Sequence, residues 1–97
     1  MTSKQRAYLR ATANKLEATL QVGKNGVSPE AVAALDEALE ARELVKVSVL
    51  QNSGESPADA AEKLAGRARA EVVSVVGRKA VLYRKSKTKP KIELPKG

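Results

Sequence analysis

Thr19-Leu20-Gln21-Val22-Gly23-Lys24-Asn25-Gly26-Val27-Ser28-Pro29-Glu30 decides the fold. Its first four residues are a short strand candidate, and the two glycines break it. A helix then starts: Ser28 can cap, Pro29 can take the first helical position and Glu30 complements the helix dipole. The helix buries a stripe of Val32, Leu35 and Leu39, and Asp36, Glu37, Glu40 and Glu43 form a solvated acidic face directed away from any polyanion. Leu44 to Leu50 follows as a strand with Val45, Val47 and Val49 on one face and Lys46 and Ser48 on the other. A strand, a helical crossover and a second strand make a unit whose strands run parallel.

The same signals recur downstream. Ser56-Pro57-Ala58-Asp59 repeats the cap-and-proline start, and Ala60, Ala61, Leu64, Ala65 and Ala68 give that helix a small-residue face for close approach to a sheet. Val72 to Val76 and Lys79 to Tyr83 are strands joined by Gly77-Arg78, a two-residue loop with Gly first, as a type II′ hairpin requires. Upstream, from Ser3 to about Asn14, Leu9, Ala13 and Leu16 fall at helical spacing while Lys4, Arg6 and Arg10 lie off that stripe. The expected fold is therefore α/β and two-layered: an N-terminal helix, then β-α-β-α-β-β in a mixed four-stranded sheet. Right-handed crossovers place both connecting helices on one face if the strand order does not reverse. Residues 1–85 form one domain and residues 86–97 a basic, mobile tail, which Ile92 and Leu94 could dock.

Charge is concentrated at the two ends. Of the formal +7, residues 1–15 contribute +4 and residues 84–97 contribute +5, while the segment between them carries −2. That asymmetry points to a polyanion such as nucleic acid, or to an anionic membrane surface. The chain has no Cys and no His, so most nucleophilic, general-base and transition-metal sites lose their usual residues, and no enzyme, metal or cofactor is expected. Tyr8 and Tyr83 are its two aromatic residues, little material for base stacking. Tyr83 alternates with Val81 as a sheet-packing residue would. No apolar run of about 20 residues or secretory leader is present, which predicts a cytoplasmic protein without a membrane partner.

Gly23-Lys24-Asn25-Gly26 can bring backbone amides close to an anion beside a helix N-terminus. Its spacing fits neither a Walker loop nor a dinucleotide fingerprint. A Gly-x-x-Gly loop is how KH domains clamp a nucleic-acid backbone, although the same residues also make a plain tight turn. Candidate RNA contacts are Gly23, Lys24, Asn25 and Gly26 in the loop and Lys4, Arg6 and Arg10 on the first helix. Lys46 and Arg78 join them, or simply face solvent, and Arg84, Lys85 and Lys87 open the basic tail.

The whole layout resembles the CRM domain, the chloroplast RNA splicing and ribosome maturation module, in its stand-alone bacterial YhbY form. The resemblance rests on Lys4-Gln5-Arg6 with Leu9-Arg10, on Val22-Gly23-Lys24-Asn25-Gly26-Val27, and on Ala38-Leu39 followed by Glu43-Leu44-Val45-Lys46-Val47. Val75-Val76-Gly77-Arg78, Val81-Leu82-Tyr83-Arg84 and Ile92-Glu93-Leu94-Pro95 continue it. It implies RNA binding, a fold related to the C-terminal domain of translation initiation factor three, and association with ribosomal RNA or large-subunit precursors during ribosome assembly; apart from the resemblance, the chain is expected to be a monomer. The competing readings are a general DNA-binding protein, favoured by the same charge, and a protein adaptor using the acidic second helix.

Overall fold

The computed structural model describes residues 1–96. Three helices and four strands follow in the order α1 (Ser3–Ala13), β1 (Leu20–Val22), α2 (Pro29–Arg42), β2 (Leu44–Val49), α3 (Pro57–Ala68), β3 (Glu71–Val76) and β4 (Lys79–Tyr83), with a 3-10 turn at Gln51–Ser53. Local chemistry sets the boundaries. Thr2 and Gln5 close a reciprocal capping box at the start of α1. Ser28 Oγ accepts from the Ala31 amide and Ser56 Oγ from the Asp59 amide, each followed by a proline at the first helical position. At the hairpin Gly77 takes φ +60° while Arg78 stays at negative φ, as a type II′ turn demands.

The sheet order is β1-β2-β4-β3. β1 pairs parallel to β2 with Val22 opposite Val49, and β4 lies antiparallel to both β2 and β3. Both crossovers step in the same direction across the sheet, so α2 and α3 pack on one face. There Leu35, Leu39 and Leu64 meet Val45, Val47, Val49 and Leu82 in the larger core. The opposite face carries a smaller apolar cluster in which Leu9 and Ala13 of α1 cover Leu44, Val73, Val81 and Tyr83. Leu16 does not extend that stripe: α1 ends at Ala13 with Asn14 as its cap, and Leu16 is left 37% exposed.

The C-terminal segment differs from the mobile tail expected beyond residue 85. Its described residues form no helix or strand, yet two carboxylates from the end of α2 hold it in place. Glu43 is fully buried, with Oε2 accepting the Ser86 amide at 2.7 Å and Oε1 the Lys91 and Ile92 amides at 2.5 and 2.7 Å. Glu40 accepts from the Ser86 and Thr88 hydroxyls and from the Lys87 and Thr88 amides. So anchored, Ile92 and Leu94 pack against the smaller cluster, and Gln5 Nε2 donates to Pro95 O at 3.0 Å. These two acids were expected on a solvated helix face. Glu43 is there because α2 runs into β2 without a glycine, so a positive-φ cap falls on Glu43 itself, at φ +67°, and turns its side chain inward.

The clasp is sensitive to acid. The Ser86 and Thr88 hydroxyls and the Lys87 amide lower the Glu40 carboxyl from 4.5 to about 2. Burial pushes Glu43 upward, but the Ser86, Lys91 and Ile92 amides outweigh it and hold that group below its ordinary value. A depressed folded-state pKa contributes stability that is complete above the unfolded value and disappears as pH falls through the folded one. Amide protection at Lys87 and Thr88 should therefore be lost on acidification from 4.5 toward 2, and Glu40→Gln should remove most of that dependence. Protection unchanged across this range in hydrogen-exchange measurements would contradict the clasp.

Candidate nucleic-acid interface

The loop between β1 and α2 is a tight turn. The Gly26 amide donates to Gly23 O at 2.8 Å and the Ser28 amide to Gly26 O at 3.0 Å, leaving Lys24 and Asn25 exposed at the tip. Gly26 sits at φ +63°, which a side chain would strain; Gly23 has room for a methyl group, its nearest neighbours being Leu50 and Asn52 at 3.6 Å or more. Arg67 Nη1 donates to Val27 O at 3.0 Å and so fixes the exit of the loop from α3. The loop, the turn after β2 and the β3–β4 hairpin all lie at one end of the sheet. Arg78 joins two of them through Nε to Val49 O at 2.7 Å and Nη2 to Leu50 O at 3.0 Å.

Behind this end, the sheet face not covered by α2 and α3 is basic. Lys79 lies opposite Ser48 and Lys46 opposite Val81, on the face that α1 crosses. With Arg10 and Asn14 of α1 and Ser74 they surround a depression of about 250 Å³ that contains three cations and no carboxylate. Lys46 also donates from Nζ to Leu16 O at 2.9 Å, tethering the chain after α1.

The residues singled out by sequence do not form one site. Gly23 to Gly26 and Arg78 share the loop end, and Arg10 and Lys46 extend from it over the sheet. Arg6 is on the same helix, but its guanidinium donates to Val72 O at 2.6 Å, at the bulge between Val72 and Ser74, so it braces β3 as well as presenting charge. Lys4 is exposed at the beginning of α1. Arg84, Lys85 and Lys87 sit at the far end of β2 and β4, about 17 Å from the loop for a six-residue strand. Arg84 is not available to a ligand there: it donates to Asp36 Oδ1 at 2.5 Å, to Asp36 O at 3.0 Å and to Ala68 O at 2.8 Å, with Glu40 at 3.9 Å. These contacts also occupy Asp36 and Glu40, two of the acids that an adaptor using α2 would need.

Sequence reasoning missed Lys79. Only the register with β2 places it beside Lys46 and Arg10. Among the described residues no helix is long and apolar enough to cross a membrane.

The model of the CRS1 / YhbY (CRM) domain family matches residues 1–84. The chain is similar to the Bacillus subtilis protein named "Probable RNA-binding protein YqeI", at 47% identity over 98% of this chain and 99% of the relative. It is also similar to "Probable RNA-binding protein MJ0652" of Methanocaldococcus jannaschii, at 42% identity over 87% of this chain and 63% of that longer protein. The solution structure of SAV1595 from Staphylococcus aureus has the same fold, with a TM-score of 0.82, 42% identity and coverage of 98% and 99% of the two chains.

Proposed function

This chain belongs to the CRS1 / YhbY (CRM) domain family, and on that premise we propose that it binds RNA by gripping the backbone with the Gly23–Gly26 loop and the basic sheet face behind it. The observation that carries this reading is that donors and cations gather toward one end of the sheet. Lys24 and Asn25 are exposed at the loop tip, Arg78 reaches the Val49 and Leu50 carbonyls at the same end, and the carboxylate-free depression formed by Arg10, Lys46 and Lys79 lies on the sheet face behind it. Loop amides and the start of α2 supply donors for one phosphate, and the cations behind it neutralise those that follow.

Recognition works by backbone and shape. Tyr83 is buried at 7% exposure in the smaller apolar cluster, leaving Tyr8 as the one exposed aromatic ring among the described residues. Lys4, Lys85 and Lys87 stand apart from the loop and contribute mainly a long-range positive field. The RNA is ribosomal RNA, bound in the cytoplasm on precursors of the large subunit, the partner implied by the resemblance to the stand-alone bacterial form. Names given to the relatives support RNA as the polymer class.

Salt provides the test. If the loop clamps about four nucleotides, as a Gly-x-x-Gly loop does in KH domains, the logarithm of affinity should fall with the logarithm of salt at a slope of about −3, from about 0.7 per single-strand phosphate. Fluorescence anisotropy with labelled single-stranded RNA measures it. A slope near zero would remove the backbone grip.

A further inference from the structure

A second concentration of uncommitted positive charge lies away from the loop, in a cavity of about 560 Å³ between the C-terminal ends of α1 and α2, the start of β2 and the C-terminal segment. Four cations, Lys15, Arg42, Lys46 and Lys91, line it against one carboxylate, Glu17. Lys46 is spoken for by Leu16 O, but the side chains of Lys15, Arg42 and Lys91 have no ion-pair or hydrogen-bond partner among the described residues. Arg42 and Lys15 gain from the C-terminal ends of the α2 and α1 dipoles; Lys91, outside any helix, has no such compensation. The walls between the charges are apolar, formed by Leu16, Leu44 and Ile92.

Like charges gathered over a low-dielectric surface repel one another, and they focus a positive potential into the cavity. The fold holds them there. The buried Glu43 carboxylate accepts the Lys91 and Ile92 amides, so the clasp on the C-terminal segment also builds one wall of this cavity. Lys46 lines both this cavity and the depression behind the loop, which makes a single basic path along one face of the sheet.

We infer that this cavity is a second RNA contact, taking an unpaired nucleotide of the strand held at the loop, its base against Leu16, Leu44 and Ile92 and its phosphate among Lys15, Arg42 and Lys91. The inference rests on the proposed RNA-binding reading and adds to it a location and a ligand form. The volume lies within the range of small-ligand sites, and the charge selects an anion.

The test uses the full chain with two single-stranded RNA probes, a tetranucleotide that fills the loop clamp and a dodecanucleotide long enough to reach the cavity. K15E/R42E/K91E should weaken dodecanucleotide binding by about tenfold, the loss of one or more charge-assisted contacts with repulsion added, and leave the tetranucleotide within about twofold. R69E/K89E/K96E, equal in charge change and placed at exposed cations that line neither the cavity nor the depression behind the loop, should alter neither. Should the reversal variant fail to fold by circular dichroism, K15Q/R42Q/K91Q is measured in its place, with a smaller loss of the same pattern expected. Dodecanucleotide affinity unchanged in the cavity variant, or reduced equally in the charge-matched control, overturns the inference and leaves the loop reading standing. Wild-type protein that binds neither probe overturns both.

Discussion

Replacing Glu43 by Ala is expected to lower the stability of the domain by about 3 kcal/mol, with a fall in thermal midpoint of about 15 °C, reckoned at 4–8 °C per kcal/mol for a domain of about this size. The carboxylate is inaccessible to water, and its two oxygens accept three backbone amides from a segment 43 to 49 residues away. Removing them leaves three donors without a partner, each worth about 1–3 kcal/mol if it stays dry. Water will reach some of them, since Lys91 is exposed, so the expected loss stays at the low end of that range. Alanine gives no relief at φ +67°, which is unfavourable for any residue with a Cβ. Glu43→Gln, keeping one acceptor oxygen, should lose about half as much. Urea denaturation measures both, and a loss below about 1 kcal/mol for Glu43→Ala would mean that the C-terminal segment docks through Ile92 and Leu94 instead.

The second large effect is expected at the loop. Changing Lys24 and Asn25 together to Asp puts two negative charges at the exposed tip and leaves Gly26 free to keep φ +63°. RNA affinity should fall at least tenfold, about 1.4 kcal/mol, because one charge-assisted contact is worth roughly that and repulsion adds to it. The turn is closed by backbone bonds from Gly26 to Gly23 and from Ser28 to Gly26, so circular dichroism should stay native. Glu37→Gln on the exposed side of α2 is the control and should bind as before or slightly better. A folded loop variant with wild-type affinity would reduce Gly23–Gly26 to a turn, and RNA would have to be held elsewhere.

The elements with local causes were legible in the chain. Ser28-Pro29, Ser56-Pro57 and Gly77-Arg78 each carry their instruction within two residues, and the structure places two helix starts and a hairpin there. The glycine loop was legible for the same reason. Strand order was not: placing β4 between β2 and β3 depends on pairings such as Lys46 with Val81, which no local pattern encodes. The clasp escaped for a related reason. Glu40 and Glu43 look like any acids at the end of an amphipathic helix, and their partners are backbone amides, which every sequence has and none displays. Arg84 shows the converse error. Counted as part of a basic tail, it is neutralised by Asp36 in the folded chain, so net charge overstated what that end can offer a ligand.

The two apolar clusters have unequal claims on the chain. The larger draws on residues from Val22 to Leu82, whereas the smaller joins Leu9 to Ile92 and Leu94, residues from opposite ends. Closing so wide a loop costs more chain entropy than any contact within the larger cluster. The outer layer of α1 and the C-terminal segment is therefore the natural last step of folding and the first unit to open, a foldon distinct from the rest. As a nascent chain emerges, residues 20–83 can consolidate before this layer does. Maturation is expected in two stages: a core that completes its own topology, and an outer wrap that cannot settle before Ile92 and Leu94 have been made.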